Sequence, residues 1–519
     1  MKSKIYEHFQ KTTLVSKRHL FIIIAGLSIS ALQAQETTAD DALRYGVENL
    51  NGSARFRAMG GAFGAVGGDL SSINQNPAGS IFFNNNYATF TGSSYNSKNI
   101  SRYYGTTQND NDNSFDLNQA GVVFVFKDNN PKNDWKKFTI ALNYENNNNF
   151  NNSIYSAGIN PYNSIDKYFL RFANGLPSEG GITLQTLENA NFANLNFIDQ
   201  QAMLGYNAYI FNPVSNTANN SVYTSNVPTA GNYFQDNYTI TTGYDGKFTA
   251  NFATAFKDKL FLGANINYHY TDIVKTTSVF ESYNTSDPTT GLQSVQFDTE
   301  THTFGYAFSF GFGAIVKATE DLRLGLAYQS PTWYRLEDEQ RQAVIANCPD
   351  CGSQNPIYYN PGVTMAYLPY TIQTPGKWTG SAAYTYKKRA LLSVDVSMKD
   401  YANTKFRPQE DYTGLNSYMS NVLDNAIEVR VGGEYKYKEW SFRGGYRFDQ
   451  SPYKVDQAFG DLTGYSGGLG YTFGDSRIDL AYSYDHRNFN YTFLSSGLTD
   501  PARVSRYNNN VSLSYSINF

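Results

Sequence analysis

Residues 511–519 read V-S-L-S-Y-S-I-N-F, a strict two-residue alternation that ends on an aromatic side chain. Successive side chains of an extended strand point to opposite faces. Val511, Leu513, Tyr515, Ile517 and Phe519 therefore share one face, and Ser512, Ser514, Ser516 and Asn518 share the other. A half-buried strand of a soluble sandwich has the same period, but there the apolar side seldom runs to a terminal Phe. A transmembrane barrel strand sets apolar side chains in lipid, polar ones in the lumen and aromatic girdles at the interfaces. The pattern predicts the closing strand of a bacterial outer-membrane barrel.

Export to that membrane requires a signal. Lys2, Lys4, Lys11, Lys17 and Arg18 precede an apolar run over residues 20–32 and then Gln33-Ala34-Gln35. This is the layout of a secretory signal peptide, residues 1–34, cut after Ala34, although Leu32 is bulkier than the usual small residue. An anchor helix is excluded by length, because spanning takes roughly 20 apolar residues. No later segment is long and apolar enough to cross as a helix, and mean hydropathy is −0.48. Any crossing is made by strands. With 42 Tyr, 36 Phe and 42 Gly, the mature chain is expected to form one large β structure rather than several soluble domains. Its 41 basic and 45 acidic residues leave a net charge of −4, no field suited to nucleic acid.

Walking back from the C-terminus, alternating segments recur in pairs. Residues 477–484 join a segment carrying Tyr465, Leu469, Tyr471 and Phe473 through Gly474-Asp475-Ser476, a tight hairpin. Residues 427–437 meet 440–448, 377–386 meet 391–398, 247–256 meet 260–270, and 121–126 meet 138–144. In 303–316, Phe304, Tyr306, Phe308, Phe310 and Phe312 alternate with Gly, Ala and Ser, placing large residues toward lipid and small ones inward. With Leu322 to Tyr328 following, a first strand near 87–92 and the terminal strand, the count is fourteen, even as bacterial barrels require. Six connections are short, near 127–134, 257–259, 317–321, 387–389, 438–439 and 474–476. Seven are long, near 95–115, 146–240, 272–300, 332–375, 402–424, 450–460 and 488–507. Short periplasmic turns and long external loops are the barrel asymmetry, and they leave both termini periplasmic. The fold class expected is all-β, a transmembrane fourteen-stranded antiparallel β-barrel over residues 86–519.

Residues 35–85 precede the barrel, and their glycines and small side chains suit a compact hatch inside the lumen, with a periplasmic linker as the alternative. R-A-M-G-G-A-F at 57–63, followed by N-P-A-G at 76–79, closely resembles the hatch of the FadL/TodX outer-membrane transport family. L-G-L-A-Y-Q-S-P at 324–331 and T-P-G-K-W at 374–378 extend the resemblance over the mature chain. The hatch residues so marked are Arg57, Gly60, Gly61, Asn76, Pro77, Ala78 and Gly79. The resemblance implies a monomeric plugged barrel of the cell outer membrane, without cofactor or metal, that passes long-chain fatty acids, hydrocarbons or other hydrophobic molecules by diffusion. Further expected partners are outer-membrane lipid and, through the C-terminal strand, the barrel-assembly machinery. Family ligands leave sideways at an inward kink in the third strand. Here residues 135–145 contain neither Gly nor Pro, so the place of any lateral exit is open. Two other roles compatible with the fold are a protein-secretion shuttle and a structural or adhesive surface barrel.

A hydrophobic substrate with an acidic head needs an apolar outer surface and a cation inside. Trp333 and Tyr334 in the loop at 332–375, with Tyr168, Phe169 and Phe197 in the longest loop, form an access groove or pack on themselves. A two-residue turn at Lys438-Glu439 sets Tyr437 opposite Trp440, Glu434 opposite Arg443 as an ion pair, and Arg430 opposite Arg447. Like charges so opposed call for an anion between them, either a substrate carboxylate or, as the commoner outcome, Glu428 or a loop acid. No catalytic site is read: His269, His302 and His486 follow the signal peptide, and no local motif supplies a nucleophile and an orienting acid. Cys348 and Cys351, spaced C-P-D-C, are expected to form a local disulfide rather than a redox pair or half a zinc site.

Overall fold

The terminal alternation folds as the strand Ala502–Asn518, exposing Val511, Leu513, Tyr515, Ile517 and Phe519 outward and burying Ser512, Ser514 and Ser516. It pairs with Ser476–Tyr491 on one side and, through Tyr87↔Asn518 to Arg102↔Arg503, with the first strand Tyr87–Tyr103 on the other. The inward hydroxyls knit this seam: Ser512 bonds Ser93 at 2.7 Å, Ser514 bonds Thr91 at 2.7 Å, and Ser516 donates to Thr89 at 3.0 Å. The sheet is thereby closed into a barrel of fourteen antiparallel crossings. The computed structural model describes residues 37–519 except 131, 176–179, 230, 286, 353 and 456–457. The expected signal peptide lies outside the described residues, and no described helix is long and apolar enough to cross a membrane.

In chain order the crossings begin with the first strand, Thr106–Lys127, and Trp135–Asn149 continued by Asn152–Asn160. Tyr233–Phe256, Leu260–Ser282 and Ser294–Lys317 follow as fourth, fifth and sixth. The seventh is Leu322–Gln329 and Trp333–Asn347, interrupted around Pro331, and the eighth runs through Tyr370–Gln373 and Lys377–Tyr386, interrupted around Pro375. A proline lacks the N–H the ladder needs, so these breaks fall where the sequence places one. Ala390–Asp400, Asn425–Tyr437, Trp440–Asp449, Phe459–Phe473 and the last two strands complete the wall.

Several strands run further outward than the alternation indicated. The stretch at 95–115 is a hairpin continued through Tyr104-Gly105, with Tyr103 opposite Thr106, and the connection expected at 272–300 shrinks to 283–293. The hairpin extension around Tyr104-Gly105 is mostly polar and shows no apolar period to read, whereas Ile273, Val279, Val295 and Phe297 of the other extensions are buried inward. The longest connection carries the helices Asp166–Asn174, Leu184–Asn189 and Phe197–Asn207, packed with Phe297 and Val344 of the extended strands around Tyr168, Phe169, Leu204 and Phe211. Cys348 and Cys351 are joined as a disulfide at the edge of that cluster, where Cys348 is buried.

Inside the wall, the N-terminal segment forms the helices Ala39–Gly46 and Ala54–Ala58 and the 3-10 turns Leu70–Asn74 and Pro77–Phe82. The small inward residues of the wall are what admit it. A Cβ on Gly313 would lie 2.0 Å from Asn76 Oδ1, and one on Gly263 would lie 2.4 Å from the Pro77 carbonyl group. Alternating aromatic and glycine along Ser294–Lys317 thus serves lipid on one side and the hatch on the other.

Candidate functional site

The motif residues pin the hatch to the wall. Asn76 caps the turn Pro77–Phe82 by accepting from Ala78 N at 3.1 Å, and its amide donates to Gly64 O at 2.8 Å and Ala314 O at 3.1 Å. Pro77 O accepts from the Asn251 amide at 2.8 Å, Ala78 packs with Ala253 and Ile315, and Gly79 N donates to Asn76 O at 2.9 Å. Gly60 and Gly61 adopt φ of 62° and 77°, and Gly60 lies against the Tyr446 backbone. Arg57 is buried and, among the described residues, hydrogen-bonds neutral groups: Ser93, Tyr95 and Ser483, each at 3.3 Å.

Above the hatch lies a cavity of about 520 Å³, within the range of small-molecule sites. Its walls are the helix Ala39–Gly46, threonines and apolar side chains of the fourth to sixth strands, Tyr168 and Phe197 of the external helices, and an aromatic shelf of Phe459, Phe489, Tyr491 and Phe493. Arg487 and Arg506 project from that shelf, directly opposed on the last two strands. The Arg487 guanidinium stands 4.2 Å from the Phe459 ring centre and that of Arg506 stands 4.8 Å from Phe489. Arg506 Nε donates to Asn99 Oδ1 at 3.1 Å, whereas the buried Arg487 Nε has no partner. Among the described residues neither joins an ion pair. The acids facing Arg487 are engaged elsewhere, Asp449 by Arg447 and Asp485 by the Asn508 amide at 2.7 Å.

The pair expected from sequence is in register, Arg430 opposite Arg447, and Glu434 meets Arg443 at 2.7 Å. Each of those arginines is already met by carboxylates of this chain. Arg430 reaches Glu428 at 3.3 Å and Glu48 of the hatch at 3.6 Å, and Arg447 binds Asp449. Neither Trp333 nor Tyr334 lies in a loop. Both belong to the strand Trp333–Asn347; Trp333 stacks near Phe310 on the outside, and Tyr334 is buried, its hydroxyl donating to Asp245 Oδ2 at 3.0 Å. The structure also brings Ser309, His269 and Asp245 together, with His269 Nε2 3.2 Å from Ser309 Oγ and Nδ1 3.7 Å from Asp245. Tyr334 occupies the same carboxylate oxygen and the Asn267 amide donates to Ser309 at 3.1 Å, so the trio is knit into the polar wall.

The third strand is broken at Phe150 and Asn151, beyond the stretch where a Gly or Pro was sought. The signal lies in its neighbour. Gly243, at φ 131°, accepts from Phe150 N at 3.0 Å and donates to Asn151 Oδ1 at 3.1 Å, and a Cβ there would lie 2.1 Å from Asp272 O. Past the break, Asn152–Asn160 still pairs with the fourth strand but leans behind the first, with Asn99 donating to Ser153 O at 2.7 Å. The ladder between second and third strands stops at Gln119↔Glu145. Above it the wall is bridged by side chains: Asn146 and Asn149 reach Asp116, and Asn149 reaches Ser114 at 3.0 Å. Asn148 to Asn152 border both this gap and the cavity.

Residues 191–492 match the family described as outer membrane protein transport protein (OMPP1/FadL/TodX). The long-chain fatty acid transport protein of Escherichia coli O6:H1 is 24% identical over 196 residues, which is 36% of this chain and 44% of that protein. The chain thus spans less than half the length of this relative. The crystal structure of a Pseudomonas aeruginosa FadL homologue is similar over 91% of this chain and 100% of its own, with TM-score 0.52 at 16% identity, a likeness of fold. The Ralstonia pickettii toluene transporter TbuX covers 91% of this chain and 99% of its own, with TM-score 0.49 at 16% identity.

Proposed function

We propose that this chain, which belongs to the FadL/TodX family of outer-membrane transport proteins, carries long-chain fatty acids passively across the outer membrane. The family comprises channels for hydrophobic compounds, not enzymes. The reading of a fatty acid in particular rests on one observation: a cavity with an aromatic shelf holds two opposed arginines that, among the described residues, join no ion pair. An alkyl chain gains from the apolar lining, at about 25 cal/mol per Å² removed from water. A carboxylate between the guanidiniums relieves their repulsion and accepts charge-assisted hydrogen bonds. The route we infer runs from the external helices into the cavity and out through the side-chain-bridged gap beside Phe150, because the hatch fills the axial path below.

The test is uptake and binding by Arg487→Gln/Arg506→Gln. Oleate binding to the purified barrel is expected to weaken about tenfold or more, the loss of a hydrogen bond to a charged group, while a fatty alcohol of equal length binds as before. Unchanged oleate affinity in the double variant would remove the arginines from the site. If wild-type protein bound neither ligand, the fatty-acid reading itself would fail.

A further inference from the structure

A second cavity, of about 550 Å³, opens below the hatch among the short periplasmic turns. Eight cationic side chains and two acidic ones line it. Its acids are outnumbered locally as well: Glu434 is shared by Arg55 at 2.9 Å and Lys436 at 3.5 Å, besides Arg443. Arg477 leans on Asp479 at 2.9 Å, and its Nη2, 3.9 Å from the already shared Glu434, has no hydrogen-bond partner. Lys137, Arg323, Lys388 and Arg389 converge on the same space from the third and seventh strands and the turn after the eighth, and among the described residues none of the four joins an ion pair.

Arg323 is the organised member of this group. Its Nη1 donates to Val66 O of the hatch at 2.9 Å, and its guanidinium is stacked 4.1 Å from the Phe82 ring centre. Two contacts therefore fix the plane of the fork at the cavity wall. Such a fork matches phosphoryl oxygens bidentately, and lysines add point charge. The inward parity also decides the source. Phe138, Leu324 and Ile478 point to lipid, so Lys137, Arg323 and Arg477 point to the axis, away from the headgroups around the barrel.

We propose that this bowl binds a compact, soluble polyanion bearing phosphoryl groups, and that the bound anion ties the floor of the hatch, through Arg323, to the turn at Lys388 and Arg389. The site is independent of which hydrophobic compound the barrel carries. The probe is pyrophosphate, titrated calorimetrically into full-length mature protein in a neutral maltoside detergent, with sodium chloride of matched ionic strength as reference. The expected result is saturable one-to-one binding, weakened about tenfold by Lys388→Gln/Arg389→Gln, two exposed turn residues whose loss leaves the barrel folded. Lys438→Gln, outside the bowl, should bind as wild type. A response no greater than that of chloride, or full affinity in the Lys388/Arg389 variant, would overturn the proposal. Nanodiscs with and without phosphatidylglycerol separate the sources: equal affinity in both is expected, and displacement of pyrophosphate by the anionic lipid would overturn a soluble-anion site.

Discussion

Glu48 is the hatch residue with the most to hold. Its carboxylate meets Lys377 at 2.7 Å, Lys399 at 3.1 Å and Arg430 at 3.6 Å, three cations of the barrel wall. Burial pushes its carboxyl up, but Lys377, Lys399 and Arg430 outweigh that and hold it well below the usual carboxylate range. The lowered folded value means that the stabilisation is fully present above the unfolded carboxyl value of about 4.3. It is lost only as pH falls through the depressed one. Chemical unfolding of the purified barrel is therefore expected to show the hatch anchored unchanged from pH 7 to about 5. Glu48→Gln should cost about 3 kcal/mol at neutral pH, because it leaves the buried Lys377 without its ion pair while Lys399 and Arg430 keep Glu428, and should abolish the acid-dependent part of the loss. The opposition of Arg430 and Arg447 was legible because two residues of turn fix that hairpin's register. Arg487 opposite Arg506 was not, since the loop between their strands is long and sets no register. The same like-charge argument applies to both pairs. What differed was whether local geometry could reveal the pairing.

Among the elements, the third strand shows how a kink can be written outside the segment that kinks. Its own residues from 135 to 151 hold no Gly or Pro, and the break is accommodated by Gly243 on the neighbouring strand, whose backbone conformation favours glycine. A one-strand reading looks for the cause in the wrong place. If the gap is the lateral exit, joining its two sides should close it. Asp116→Cys/Asn149→Cys replaces a hydrogen-bonded pair across the gap. The oxidised variant is expected to lose most fatty-acid uptake and to recover it on reduction. Wild-type protein, whose cysteines are already bonded to each other, should not respond to the same oxidant. Uptake unaffected by a verified cross-link would place the exit elsewhere. The external helices carry a complementary lesson: Tyr168 and Phe169 are aromatic loop residues that form a buried cluster, while Tyr162 and Leu368 remain exposed. Composition alone does not sort one kind from the other.

For the molecule as a whole, the last strand is both wall and seam. Deleting 511–519 would leave the first strand without its partner from Tyr87 to Ser94, and the barrel could not close over those crossings. Such a truncation is expected to give no heat-modifiable folded band on electrophoresis. The milder Phe519→Ala should refold in detergent as wild type yet accumulate less in the outer membrane, if assembly reads the terminal aromatic. Residue alternation was enough to give the number of crossings and their lipid-facing residues, because both follow from the two-residue period of a strand, while the hatch was read from a contiguous motif through its family resemblance. The contents of the lumen required the closed barrel. Glu428 beside Arg430 was legible as a near neighbour, but the pairing of Arg487 with Arg506, the hatch carboxylate Glu48 on Arg430, the gap beside Phe150 and the basic bowl join residues whose relative register long loops leave unset until the sheet closes on itself.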